Sequence, residues 1–143
     1  MMNERLQTFM TTEVVTLTPE NTLGDAREVL LEKRIHHIPI VDTDNKLVGM
    51  VTSWDIFKLG KSAEECADIK ISDVMTKKLA TLEPDSHLGA AAEVLMMHLF
   101  HAIPIVDDDH VLKGIVTTYD LLKYAFRKEY PENLDKFVPE NMV

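Results

Sequence analysis

The sequence predicts an α/β fold built from two β-α-β-β-α repeats, packed sheet to sheet with pseudo-two-fold symmetry. Three observations carry this. Residues 9–59 and 74–124 align without a gap at an offset of 65 residues, with nearly half of the positions identical. The shared residues include turn and polar positions as well as apolar ones: Ile38-Pro39-Ile40-Val41-Asp42 matches Ile103-Pro104-Ile105-Val106-Asp107, and Gly49-x-Val51-Thr52-x-x-Asp55 matches Gly114-x-Val116-Thr117-x-x-Asp120. Each copy then alternates strand-like and helix-like patterns, and a strand–helix–strand crossover implies a partly parallel sheet covered by helices. One such sheet has too few helices to cover both faces, so two units packed together form the natural solution.

The elements follow in order. Val14–Leu17 is short and β-branched, and the turn cluster Thr18-Pro19-Glu20-Asn21 ends it. Thr22 precedes a helical pattern with Asp25 three residues on, a capping-box arrangement. Leu23, Ala26, Val29 and Leu30 supply the apolar stripe of a helix over 22–34. Ile38–Val41 reads as a buried strand, and the polar stretch 42–46 turns it back into Leu47–Thr52 as a hairpin. A second helix starts near Ser53. Residues 60–73, with Gly60, Ser62 and several acids, form the connector between repeats 9–59 and 74–124. After Asp120 a helix is expected to about Lys128; Pro131 stops it, and 125–143 comprise that helix end and a tail.

Composition excludes several functions. With 15 basic and 24 acidic residues the chain carries a net charge of −9, which opposes general nucleic-acid binding through phosphates. A single small phosphate is not excluded, because a helix N-terminus binds one without a positive field. Cys66 is the sole cysteine, so no internal disulfide exists and a reducing compartment, the cytoplasm, is expected. Met1-Met2-Asn3-Glu4-Arg5 lacks the apolar core of a signal peptide. Leu88–Val106 has only Glu93 as a full charge over a length that a membrane span needs. Its counterpart at 23–41 is heavily charged, however, and His98, His101 and Pro104 interrupt it. A membrane role is not expected.

The two first helices differ in charge. Helix 22–34 carries six charged side chains and helix 87–99 carries one, with Met96, Met97, Leu99 and Phe100 beside it. A helix apolar on most faces is covered on most faces. In a chain this short the expected cover is a second subunit, in a homodimer joined through the region Ala90–Phe100.

The Thr-bearing first strand, the h-P-h-h-D strand (h, apolar) and G-x-V-T-x-x-D opening a helix resemble the cystathionine-β-synthase (CBS) domain. Two in tandem over residues 9–124 look like a CBS pair, or Bateman module, here similar to the stand-alone type. The resemblance implies adenosine-containing ligands, of the AMP, ADP, ATP or S-adenosylmethionine class, bound in clefts between the repeats to regulate a protein partner. It assigns ribose to Asp55 and Asp120 and phosphate to Thr52 and Thr117, with the Ser53 and Thr118 hydroxyls beside them. Unpaired amides and the dipole at the helix start suit a phosphate, and two carboxylate oxygens suit paired ribose hydroxyls. Backbone groups near Ile38 and Ile103 would read the purine edge, with Thr16 and Thr81 flanking the pocket. His36 and His101 hold the same register; at the next position repeat one has His37 and repeat two has Ala102. An imidazole is a weak, pH-dependent cation, so monophosphates or neutral tails are expected over highly charged ligands.

Other readings stand beside these. Thr-x-x-Asp is also a plain helix cap, Ile38 and Ile103 suit core packing, and each histidine can be satisfied by a backbone carbonyl. A ligand-free dimerisation or assembly scaffold is the alternative function. His36, His37, Asp42 and Asp44 lack metal-ligand spacing, and Asp107-Asp108-Asp109-His110 lacks the glycine and distal glutamate of a calcium loop. No acid–base or nucleophile constellation is visible, and Cys66 has no triad partner, so an enzyme is not expected.

Overall fold

The computed structural model describes residues 2–98 and 100–132. The chain separates into two compact units that do not follow chain order: Val15–Leu79 forms one, and the segment up to Val14 joins the chain from Ala80 onward in the other. Each is α/β, as the repeats predict.

In the first unit, α1 (Leu23–Lys33) leads to an antiparallel hairpin of β1 (His37–Val41) and β2 (Leu47–Thr52), which passes directly into α2 (Ser53–Leu59). A short α3 (Ala63–Cys66) and a 3-10 turn (Ile71–Asp73) follow. In the second unit, α4 (Leu88–His98), β3 (Ala102–Val106), β4 (Leu112–Thr117) and α5 (Thr118–Glu129) repeat the plan, and a 3-10 turn at Leu6–Thr8 stands where Ile71–Asp73 stands in the first. Residues 133–143, the expected tail, lie outside the described residues.

The hairpins form because Asp42 and Asp107 build their turns. Asp42 Oδ1 accepts the amides of Asp44 and Lys46, both at 2.9 Å. Asp107 Oδ1 accepts those of Asp109 and Val111, both at 3.0 Å. Each turn puts Asn45 or His110 in the left-handed region, and each hairpin carries a bulge after Ile40 or Ile105.

The expected first strands are not strands. Val14–Leu17 contributes a single parallel bridge, Leu17 with Ile40, and its counterpart contributes Leu82 with Ile105. The cause is a proline. The Leu17 amide donates to the Pro39 carbonyl (3.3 Å) and Val41 donates to Leu17 (3.0 Å). The preceding rung of a parallel ladder would need an N–H from Pro39, which has none. Pro104 cuts the second ladder in the same way. On the opposite edge, Thr76 exchanges both backbone bonds with Met50, and Thr11 with Ile115. The expected three-stranded sheet is therefore a two-stranded hairpin flanked by one-rung bridges.

The core of the first unit gathers Leu23, Leu30, Ile38, Ile40, Val51 and, from the connector, Cys66 and Ile71; that of the second gathers Leu88, Leu95, Ile103, Ile105, Val116 and Leu6. At α1, Thr22 and Asp25 close the expected capping box. At α4 the sequence has His87 and Ala90 instead, and the N-terminal segment supplies acceptors: Leu88 donates to the Glu4 carbonyl (2.8 Å) and Gly89 to that of Met2 (3.0 Å). His87 Nδ1 donates to the Asn3 carbonyl at 2.9 Å.

Gly49 and Gly114 allow close approach. A Cβ on Gly49 would meet the flexible Met75 side chain, with the sulfur at 2.5 Å; one on Gly114 would meet both the Met10 sulfur at 2.7 Å and the Thr11 carbonyl oxygen at 2.8 Å. A thioether can swing aside and a bridged carbonyl cannot. Gly114→Ala is therefore expected to lower unfolding free energy by about 1–3 kcal/mol, and Gly49→Ala by clearly less, in urea titrations. The Thr22 amide, then the Asn21 side chain, hold the Asp25 carboxyl below its ordinary value of 3.8. A folded pKa below the unfolded one stabilises fully above the unfolded value and less as pH falls through the folded one. The stability advantage of wild type over Asp25→Asn should thus shrink in denaturant titrations taken from about pH 5 to about pH 2.

Candidate functional site

The strand-to-helix junctions carry the candidate residues, and a reciprocal box closes each one. The Thr52 amide donates to Asp55 Oδ2 at 2.9 Å, and the Asp55 amide donates to Thr52 Oγ1 at 3.1 Å. At the second junction, the Thr117 amide donates to Asp120 Oδ2 at 2.8 Å and the Asp120 amide to Thr117 Oγ1 at 3.3 Å. The other carboxylate oxygens face lysines: Asp55 Oδ1 lies 3.4 Å from Lys58 Nζ, and Asp120 Oδ1 lies 3.4 Å from Lys123 Nζ. Both acids are buried, at 8% and 6% exposure. They face the protein's own amides. What remains for a ligand hydroxyl is the unused lone pairs of each Oδ1.

The first helical amides are also partly engaged. Ser53 donates to the His36 carbonyl (3.0 Å) and Thr118 to that of His101 (3.1 Å). In the first turn this leaves the amides of Trp54 and Tyr119 as donors outside the cap, so the helix-start argument for phosphate is weaker than the sequence implies.

Side chains gather around each junction. Ladder register sets His37 opposite Thr52 and Ala102 opposite Thr117. His36 Nδ1 stands 3.4 Å from Ser53 Oγ. His36, His101 and Thr118 are exposed; Thr52, Ser53 and Thr117 are half-buried. Thr16 and Thr81, half-buried, each precede a bridge residue, Leu17 or Leu82, beside β1 or β3. Ile38 and Ile103 are completely buried, so they can offer a ligand backbone groups only.

The two junctions differ in one respect. The Thr117 hydroxyl donates to Asp120 Oδ2 at 3.1 Å, whereas the Thr52 hydroxyl has no such bond among the described residues. Repeat one thus presents a hydroxyl proton, a serine and two imidazoles where repeat two presents a committed hydroxyl, Thr118, one imidazole and Ala102. Sequence reasoning missed Lys58 and Lys123. The available signal was their identity in both copies, three residues beyond the acid.

Elsewhere, a cavity of about 190 Å³ in the first unit lies between the start of α1 and α3, lined by Thr22, Asp25, Arg27 and Glu28 among others. It shares no residue with the junction. Among the described residues, no group of three or more His, Cys, Asp or Glu is placed to hold a metal ion, and no helix is long and apolar enough to cross a membrane.

A family model of the CBS domain matches residues 6–62 and again residues 71–127. The chain belongs to the CBS domain family. Among solved structures, the CBS pair resembles CBSX2 of Arabidopsis thaliana in complex with AMP, at 27% identity and a TM-score of 0.78, covering 87% of this chain and 98% of that one. It also resembles the CBS domain pair of protein MJ0100 in complex with 5-methylthioadenosine and S-adenosyl-L-methionine, at 29% identity and a TM-score of 0.74, covering 85% and 99%. A homoserine O-acetyltransferase of Methanohalobium evestigatum is 37% identical over 79% of this chain, but the match takes up 22% of that enzyme. The CBS pair spans about a fifth of the length of such curated relatives.

The caps have a measurable weight of their own. Asp55→Ala and Asp120→Ala should each lower stability by about 0.5–2 kcal/mol in urea unfolding without ligand, the usual cost of losing such a cap.

Proposed function

We propose that this CBS pair is a non-catalytic regulatory module that binds an adenosine-containing ligand at the Thr52–Asp55 and Thr117–Asp120 junctions. The observation that carries the reading is the pair of CBS-pair neighbours solved with AMP and with S-adenosyl-L-methionine and 5-methylthioadenosine, each covered almost completely by this chain. The ligand class is accordingly AMP, ADP, ATP or S-adenosylmethionine. Ribose hydroxyls would take the free lone pairs of Asp55 or Asp120, and backbone groups at Ile38 or Ile103 would meet the base, with Thr16 or Thr81 alongside.

The first junction suits a phosphate better. Thr52 has a hydroxyl proton to donate and His37 adds a second imidazole, whereas Ser53, His36 and Lys58 are matched at the other junction by Thr118, His101 and Lys123. At the second junction the Thr117 proton is committed to Asp120 and Ala102 offers nothing polar, which favours an uncharged tail. Regulation requires that a ligand bind one arrangement of the protein better than another. A partner protein that reads this difference completes the proposal.

The acids turned onto their own amides favour a second reading, a ligand-free assembly scaffold in which both boxes are caps only. Thermal unfolding with AMP, ADP, ATP, S-adenosylmethionine and NAD(H) separates the two. A ligand at about 100 times its dissociation constant stabilises by about 2.7 kcal/mol, and no shift with any of them selects the scaffold. Because Asp55 and Asp120 also cap, His36→Ala combined with Ser53→Ala is the cleaner probe. AMP affinity should fall about tenfold, as expected for lost bonds to a charged group, while adenosine affinity stays the same. An equal loss for both would move the phosphate elsewhere.

A further inference from the structure

Each junction aspartate has a lysine three residues on, and the two lysines are not held alike. Asp55 Oδ1 lies 3.4 Å from Lys58 Nζ, and Asp120 Oδ1 lies 3.4 Å from Lys123 Nζ. Lys123 has a second hold, because its ammonium stands over the Tyr119 ring, 5.0 Å from the centroid. The equivalent ring in the first repeat, Trp54, instead stacks on Phe57 with centroids 5.7 Å apart. Phe57 becomes Leu122 in the second repeat, which has no ring to offer, so the Tyr119 face is left to the lysine. Among the described residues no cation stands over Trp54. The Lys58 side chain is also the more exposed of the two, at 55% against 37%.

The aspartates differ in the same sense. Asp55 Oδ2 accepts one bond, from the Thr52 amide, whereas Asp120 Oδ2 accepts two, from the Thr117 amide and the Thr117 hydroxyl. A carboxylate oxygen has two lone pairs, so Asp120 Oδ2 is full. Any further donor must come to Asp120 Oδ1, the oxygen that faces Lys123. An ammonium there opposes an incoming hydroxyl in two ways. It competes for the same lone pairs, and its charge makes the carboxylate a poorer acceptor.

We infer that Lys123 is a gate on the second junction: pinned between Asp120 Oδ1 and the Tyr119 ring, it makes this the weaker of two nucleoside sites, and a ribose hydroxyl enters as the lysine leaves. Lys58, which lacks the ring contact, gives way more readily, so the first junction fills first. The inference rests on the reading that ribose hydroxyls meet Asp55 and Asp120. To that reading it adds an order of occupancy, set by residues outside the Thr-x-x-Asp box. Two sites of unequal affinity let one chain respond to ligand over a wider range of concentration than a single site does.

Calorimetric titration of the full chain with adenosine tests it, since a nucleoside without phosphate reads the ribose contacts apart from the histidines. Wild type should bind adenosine in a strong and a weak step. Lys123→Met should tighten the weak step by ~10-fold, the combined weight of an ion pair and a ring contact, and Lys123→Arg, which keeps a cation for both partners, should restore it. Tyr119→Leu should tighten the same step by ~3-fold. Lys58→Met should tighten the strong step by ~3-fold or less. A lysine that served only the fold would weaken binding on removal, and circular dichroism establishes that each variant is folded. Two equal steps in wild type, or a weak step that Lys123→Met leaves unchanged or weakens further, would overturn the gate while the ligand reading stands. The absence of adenosine binding in a protein that binds AMP would overturn the gate alone. Absence of binding by both would remove the ligand reading and the gate with it.

Discussion

The reciprocal box between threonine and aspartate at the strand-to-helix junction of each repeat governs most of what else this molecule presents. It fixes where the second hairpin strand ends and the helix begins, without an intervening loop. That junction holds Thr52 opposite His37 in the ladder and brings Ser53 to within 3.4 Å of His36. It also sets the phase of the helix, and with it the outward positions of Trp54 and Phe57 or of Tyr119 and Leu122. One local interaction thus sets both the candidate ligand site and the exposed apolar face of the helix that follows it.

Duplication separates what the fold needs from what function has changed. The turn aspartates, the Ile-Pro-Ile strand, the close-packed glycines and the Thr-x-x-Asp caps at the strand-to-helix junctions are the same in both copies, and each answers to a backbone requirement. The departures fall elsewhere. His37 becomes Ala102, Glu32 becomes Met97, and the capping pair of α1, Thr22 and Asp25, becomes His87 and Ala90 at α4. The last change is offset locally, because carbonyls of the N-terminal segment accept the α4 amides in place of a side chain. The first lies at a strand-to-helix junction and the second on an exposed helix face.

The hairpins, both helices of each repeat and the caps were legible, since turn chemistry, apolar periodicity and the Thr-x-x-Asp pattern are local signals. Val14–Leu17 misled because its β-branched residues satisfy a strand pattern, while the decisive atom, the missing N–H of Pro39, belongs to the neighbouring strand. Cys66 and Ile71 gave no sign that a polar connector would bury two side chains completely. At the candidate site, the residue types and their grouping could be read from spacing. The direction of each carboxylate could not, because capping and ligand binding call for the same residues.

By itself, the chain's order of residues determined that there are two like units, that each turns at an aspartate, and that the helix after each hairpin starts at a threonine. These depend on neighbours a few residues apart. Tertiary packing alone decided that the segment up to Val14 joins the second unit and the connector joins the first, that one proline reduces a strand to a single rung, and which apolar residues remain in water. Those outcomes rest on contacts between residues far apart in the chain, where hydrogen-bond partners and buried surface are settled by geometry that no local pattern encodes.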